Sequence, residues 1–116
     1  NAENFLQAHP NIKAIAGIGG GGSVGGNEGI KAAGITDYDS IGLFGIDATE
    51  QEILNIINED PQKSSVSLGG GKAHGRQLID LTNGLLTGED VEKTVYMPIE
   101  VIDASNAQEY YDRIYK

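Results

Sequence analysis

Short apolar runs alternate along this chain with stretches in which apolar residues recur every three to four positions, a pattern that predicts strands interleaved with helices. Positions 12–16 (Ile-Lys-Ala-Ile-Ala) and 40–46 (Ser-Ile-Gly-Leu-Phe-Gly-Ile) read as strands. The second is continuous enough to be buried on both faces. Positions 64–68 give a third strand, with Val66 and Leu68 on one face, and positions 94–97 a fourth, which Pro98 interrupts and positions 99–102 resume. A first helix is predicted over 2–8, with Asn1 as its N-cap and Pro10 just past its end. Positions 24–33 predict a weak helix diluted by glycine and stopped at Gly34. Positions 49–58 give the clearest helix: Thr49 and Glu52 form a capping box, and Ile53, Leu54, Ile56 and Ile57 supply the apolar side. Helix 72–86 carries Leu78, Leu81 and Leu85 in one stripe, with Ile79 and Leu86 beside it, and ends at Gly88. Ser105 and Gln108 offer a second capping box, opening a last helix that runs to about Tyr115. The expected class is α/β with a mainly parallel sheet.

Composition narrows this picture. The chain has 116 residues, the size of one modest domain. Its net charge of −9, with eight scattered Lys and Arg, argues against a nucleic-acid partner and fits an uncharged or cationic ligand. Without cysteine it has neither disulfides nor thiolate metal sites. No apolar run approaches the roughly 20 residues of a membrane span, and no signal peptide is recognisable. The start at Asn1, inside a predicted helix, leads us to expect an excised, processed or engineered piece.

Between the first strand and its following helix lies a run dominated by glycine, positions 17–29. A strand that empties into glycine and then into a helix is a common ligand-holding place in α/β proteins. Positions 17–22 formally satisfy G-x-G-x-x-G, and Asp47, ending the next strand, could then bind a ribose hydroxyl. A run this rich in glycine matches such a motif by chance, and no Lys-Ser/Thr follows to make a Walker loop. A flexible connector is the plain alternative. Asp47 itself has two readings: a carboxylate that accepts hydrogen bonds from adjacent sugar hydroxyls, or a residue that caps the next helix together with Thr49. His9 reads as a surface residue, and His74 as a lone histidine near a glycine triplet. The acidic pairs Glu50/Glu52, Glu59/Asp60 and Glu89/Asp90 read as solvated faces or helix-dipole partners. Tyr110, Tyr111 and Tyr115 read as packing for the terminal helix. No catalytic triad, metal-spaced cluster or other catalytic constellation is present, so neither an enzyme nor a cofactor is expected.

Several strings together resemble the C-terminal portion of the type I periplasmic (solute) binding proteins of bacterial ABC sugar importers, the ribose- and galactose-binding group. They are ENFLQAHPNIKAI (3–15), GIKAAG (29–34), IGLFGIDAT (41–49) and LLTGE (85–89). The resemblance implies an incomplete three-layer, parallel-sheet type I fold in which two lobes close on a sugar and the chain crosses between them three times. Residues 1–68 would belong to the C-terminal lobe. Residues 69–97 would be a hinge crossing, at positions 69–71, and then a helix and strand given to the N-terminal lobe. Residues 98–116 would return. Gly70, Gly71 and Pro98 would be hinge residues.

By the same resemblance Asp47 inherits the role of an aspartate that holds sugar hydroxyls. The family's Asn-Asp pair falls near Gly19 and Gly20, and a further polar contact falls at Leu68 or Gly69, so glycine stands where two polar contacts are expected. That favours a larger ligand, such as an oligosaccharide, held partly through backbone N–H groups of Gly19, Gly20 and Gly69. The implied partners are a carbohydrate, the missing N-terminal segment on the same or a separate chain, and an ABC permease. The implied setting is periplasmic or extracellular and membrane-anchored, as in an exported lipoprotein. Two alternatives stay open: the effector-binding domain of a LacI-type regulator, which shares the fold, and a nucleotide-binding α/β enzyme.

Overall fold

The computed structural model describes residues 2–116. It contains α1 (Ala2–Ala8), β1 (Ala14–Ala16), α2 (Gly20–Ala32), β2 (Gly42–Ile46), α3 (Glu50–Ile57), β3 (Gln62–Ser67), α4 (Gly71–Thr87), β4 (Glu100–Asp103) and α5 (Ala107–Ile114). The sheet order is β1-β2-β3-β4, with the first three strands parallel and β4 antiparallel to β3. The expected α/β class and parallel-dominated sheet are therefore present. The N-cap expected at Asn1 lies outside the described residues.

Because β1, β2 and β3 step across the sheet in one direction, right-handed crossovers place α2 and α3 on the same face. Two apolar clusters lie under them. Leu6, Ile30, Ile41 and Leu43 seal α1 and α2 against β2. Ala48, Ile53, Ile56, Ile102, Ala107 and Tyr110 join α3, β4 and α5. On the opposite face Phe44 and Val101 are half exposed. Helix α4 is also bare: Leu78, Ile79, Leu85 and Leu86 all face solvent, and only Gly84 is buried. The radius of gyration is 17.5 Å, against roughly 13 Å for a compact chain of this length. The excess follows from α4 standing away from the sheet.

The glycine run is not a flexible connector. Helix α2 starts at Gly20 rather than at Val24, so most of the run is helical. Six glycines among its thirteen residues cost about 5 kcal/mol of helix propensity relative to alanine, and tertiary packing overrides that cost. A Cβ on Gly20 would strike Thr49, and one on Gly29 would strike Ala2 of α1. The glycines thus let α2 lie close against its neighbours, while Ser23, Asn27 and Ile30 are buried along it.

Other expectations need correction. No strand forms over 94–97 among the described residues; β4 begins at Glu100, beyond Pro98. A strand is defined by its pairing, and this segment has no neighbour to pair with. The third strand runs over Gln62–Ser67, two residues earlier than expected. The Ser105/Gln108 capping box is absent: Asn106 is the N-cap of α5 and makes no side-chain cap. Ser105 Oγ donates instead to Asp103 Oδ1 at 2.6 Å. The Thr49/Glu52 box, the Gly34 stop and the Gly88 stop all hold, the two glycines with φ of 77° and 79°.

Candidate functional site

The parallel strands β1, β2 and β3 end on the same side, and the residues that follow them, 17–20, 47–49 and 68–70, converge there. This is the carboxyl edge of the sheet, where open α/β folds hold ligands. Asp47 occupies its centre. Its N–H donates to the Val66 carbonyl at 2.9 Å, tying the turn to β3. Its Oδ2 accepts the Gly20 N–H at 2.9 Å. Asp47 therefore does cap a helix, but the helix is α2 and not α3, which Thr49 caps. Its Oδ1 carries no hydrogen bond among the described residues and is free to accept one from a ligand.

The backbone here is strained. Asp47 has φ 97° and Ala48 φ 47°, a region that side-chain-bearing residues seldom occupy. Ala48 is wholly buried. Its N–H donates to Ser65 Oγ at 3.0 Å, and its carbonyl accepts the Tyr115 hydroxyl at 2.7 Å. Burial, and then the charges around it, raise the Tyr115 phenol above its usual range.

Beneath the turn sits a polar network that sequence reasoning missed. Glu52, expected in a solvated pair with Glu50, is fully buried. Its Oε2 accepts from Thr49 N and Thr49 Oγ1, both at 2.9 Å. Its Oε1 accepts from Gln62 Nε2 and Ser65 Oγ, both at 3.0 Å. A β-bulge at Lys63, where Leu43 pairs with Gln62 but Phe44 pairs with Ser64, turns Gln62 onto the same face as Ser65. The available signal was a short strand with five polar residues out of six, of which Gln62, Ser65 and Ser67 are the buried ones. Gly45 leaves room for this network, since a Cβ there would collide with Glu52 Oε1 and sit 2.6 Å from Ser23 Oγ. Gly45→Ala is expected to lower stability by about 1–3 kcal/mol through overpacking, measured as a reduced urea midpoint at unchanged slope.

The remaining candidates fall as follows. Gly19 precedes α2 with φ 88°, and a Cβ there would lie 3.4 Å from Asp47 Oδ2. Gly69 and Gly70 have φ of 92° and 75° and lead into α4. Gly71 is the first residue of that helix and has an ordinary φ. A Cβ on Gly69 would come within 3.7 Å of the Pro98 carbonyl, so the outgoing and returning segments run side by side. Gly69 N donates to Ser67 Oγ at 3.2 Å, and Ser67 Oγ pairs with the Tyr110 hydroxyl at 2.8 Å. His74 lies in the first turn of α4, and the His9 ring packs tilted against Phe5, 4.8 Å between centroids. The described residues hold no cluster suited to a metal ion, and no helix long and apolar enough to cross a membrane. The dinucleotide reading meets a physical obstacle. A pyrophosphate would need the amides at the start of α2, and the Asp47 carboxylate already holds the Gly20 amide.

This is the architecture of the type I solute-binding proteins, and comparison with known proteins agrees with the resemblance drawn from the sequence. The chain is 29% identical over 107 residues to a provisionally named rhizopine-binding protein of Rhizobium meliloti, covering 92% of this chain and 34% of that protein. A solute-binding protein of an ABC transporter from Agrobacterium vitis, solved with allitol bound, superposes with a TM-score of 0.82 at 22% identity, over 97% of this chain and 39% of that one. A periplasmic ribose ABC transporter protein from Conexibacter woesei gives 0.79 at 25% identity, over 96% and 37%. The chain thus spans little more than a third of the length of these relatives, which are binding proteins and not enzymes. No protein-family model matches it.

Proposed function

We propose that this chain is the C-terminal part of a sugar-binding component of an ABC importer, and that Asp47 is its ligand-holding carboxylate. The observation that carries the reading is the free Oδ1 of Asp47 at the carboxyl edge of the sheet. The other oxygen is fixed by the Gly20 amide, so the acceptor is already oriented for a hydroxyl. Gly19, Gly20 and Gly69 would border the ligand. Glycine at all three positions leaves no side chain to fill this edge of the sheet, which supports a ligand longer than one sugar ring.

In this reading residues 1–68 and 98–116 make one lobe, residues 69–97 reach into the other, and Gly70, Gly71 and Pro98 form the crossing. Two features support it. The bare apolar face of α4, bordered by an open groove of about 1190 Å³ between Gly71 and Val91, is a surface that soluble proteins ordinarily cover. The half-exposed Phe44 and Val101 leave the second face of the sheet ready for a further helical layer. The covering elements would come from the N-terminal segment, on the same or a separate chain. Export to the periplasm or outer surface, lipid anchoring and docking to a permease belong to the same proposal. Two of the three relatives described above are named as ABC transporter proteins, which supports this reading over the effector domain of a regulator.

The test is calorimetric titration of the full gene product with monosaccharides, polyols and their di- and trisaccharides, alongside thermal shift. Ligand at about 100 times Kd should add about 2.7 kcal/mol of stability. Tighter binding of a monosaccharide than of its oligomers would remove the long-ligand part of the proposal. Micromolar binding by residues 1–116 alone would remove the need for the second segment.

A further inference from the structure

We propose that Tyr115 is a positioning residue for Asp47, acting through the Asp47–Ala48 turn; this rests on the reading of Asp47 as the ligand carboxylate. Two consecutive residues with side chains at positive φ persist only where their surroundings over-determine them. Three of the restraints come from the sheet and α2: Asp47 N to Val66 O, Ala48 N to Ser65 Oγ, and Gly20 N to Asp47 Oδ2. The fourth reaches in from the far end of the chain, 67 residues away, where Tyr115 donates to the Ala48 carbonyl at 2.7 Å.

Tyr115 is itself held in place. Its ring meets Tyr110 edge-on at 6.4 Å and Tyr111 at 5.7 Å. Tyr110 is buried and bonded to Ser67, so the end of α5 is fixed to β3. Ala48 lies in the core, where its carbonyl has no other donor among the described residues. Loss of the phenol hydroxyl takes away that carbonyl's donor and the restraint that ties the turn to the end of the chain, at a cost comparable to a lost hydrogen bond. With that restraint gone, the positive-φ backbone of Asp47 and Ala48 is free to relax toward the ordinary region, which draws the Asp47 carboxylate off the Gly20 amide. Tyr111 is the internal control. It lies on the same helix and its hydroxyl donates to Glu50 at 3.1 Å on the surface, away from the turn.

The experiment compares Tyr115→Phe with Tyr111→Phe in the full gene product. It reads the Gly20 amide by NMR after glycine-selective labelling, without ligand, and sugar affinity by calorimetry. Tyr115→Phe should move the Gly20 amide resonance and raise its hydrogen-exchange rate about tenfold, while glycine amides in β2 stay put. It should also weaken sugar binding about fivefold, the effect of one net hydrogen bond. Tyr111→Phe should do neither. In an Asp47→Ala background the affinity effect of Tyr115→Phe should vanish. A Gly20 amide that Tyr115→Phe leaves unmoved overturns the positioning role, whatever happens to binding. A Gly20 amide that moves while neither Asp47→Ala nor Tyr115→Phe alters affinity upholds the positioning of Asp47 and overturns its reading as the ligand carboxylate.

Discussion

Replacing Glu52 by alanine should lower the stability of this fold by about 3–5 kcal/mol, the scale of two buried donors left unpaired together with a cavity. Four donors converge on its two oxygens: Thr49 N, Thr49 Oγ1, Gln62 Nε2 and Ser65 Oγ. The hydroxyls can turn to other acceptors, but the Thr49 N–H and the Gln62 amide cannot. Each buried donor left unpaired costs about 1–3 kcal/mol, and the vacated side chain adds a cavity term. Glu52→Gln separates shape from charge. It keeps the volume but places an amide NH₂ among donors, with an expected loss of about 1–3 kcal/mol. Urea denaturation measures both, as a fall in midpoint at constant slope. A domain of this size has about 5–15 kcal/mol to lose, so the alanine variant should be partly unfolded at 37 °C. A Glu52→Gln variant as stable as the parent would mean that the network does not hold the turn.

Glu52 also shows where reading the sequence stopped. Its capping role was legible, because Thr-x-x-Glu before an apolar run has a local mechanism. Its burial was not, because burial depends on β3 arriving with Gln62 and Ser65 turned toward it, and that follows from a bulge with no local signature. The same division runs through the fold. Strand β2 and helix α3 were legible because a continuous apolar run and a capped amphipathic turn are local patterns. The start of α2 was not, because Gly20, Gly21 and Gly22 are poor helix formers, and what begins the helix there is Gly20 lying close against Thr49 and donating to the Asp47 carboxylate. Asp47 stood out by ending an apolar strand. Which helix it caps could not be read, because its partner, the Gly20 amide, lies 27 residues before it and meets it only in the folded sheet. Tyr115 reads from sequence as packing, and it does pack; its hydrogen bond to Ala48 is a long-range fact.

Asp47→Ala should then divide its effects between stability and binding, and the division tests the site. On the stability side it removes the acceptor from the Gly20 N–H, a helix N-cap worth about 0.5–2 kcal/mol. It also replaces a residue that tolerates positive φ with one that does so less readily, at φ 97°. Asp47→Gly relieves that strain while still losing the cap, so it should be the more stable of the two. On the binding side both variants lose the same carboxylate. A hydrogen bond to a charged acceptor contributes about 1.5–3 kcal/mol, which corresponds to a rise in Kd of roughly 10- to 150-fold for a sugar in the full gene product. The two variants should therefore differ in denaturation midpoint and agree in affinity. If affinity instead tracks stability, so that Asp47→Gly binds nearly as well as the parent, the side chain serves the fold alone and the ligand meets this edge of the sheet through other groups.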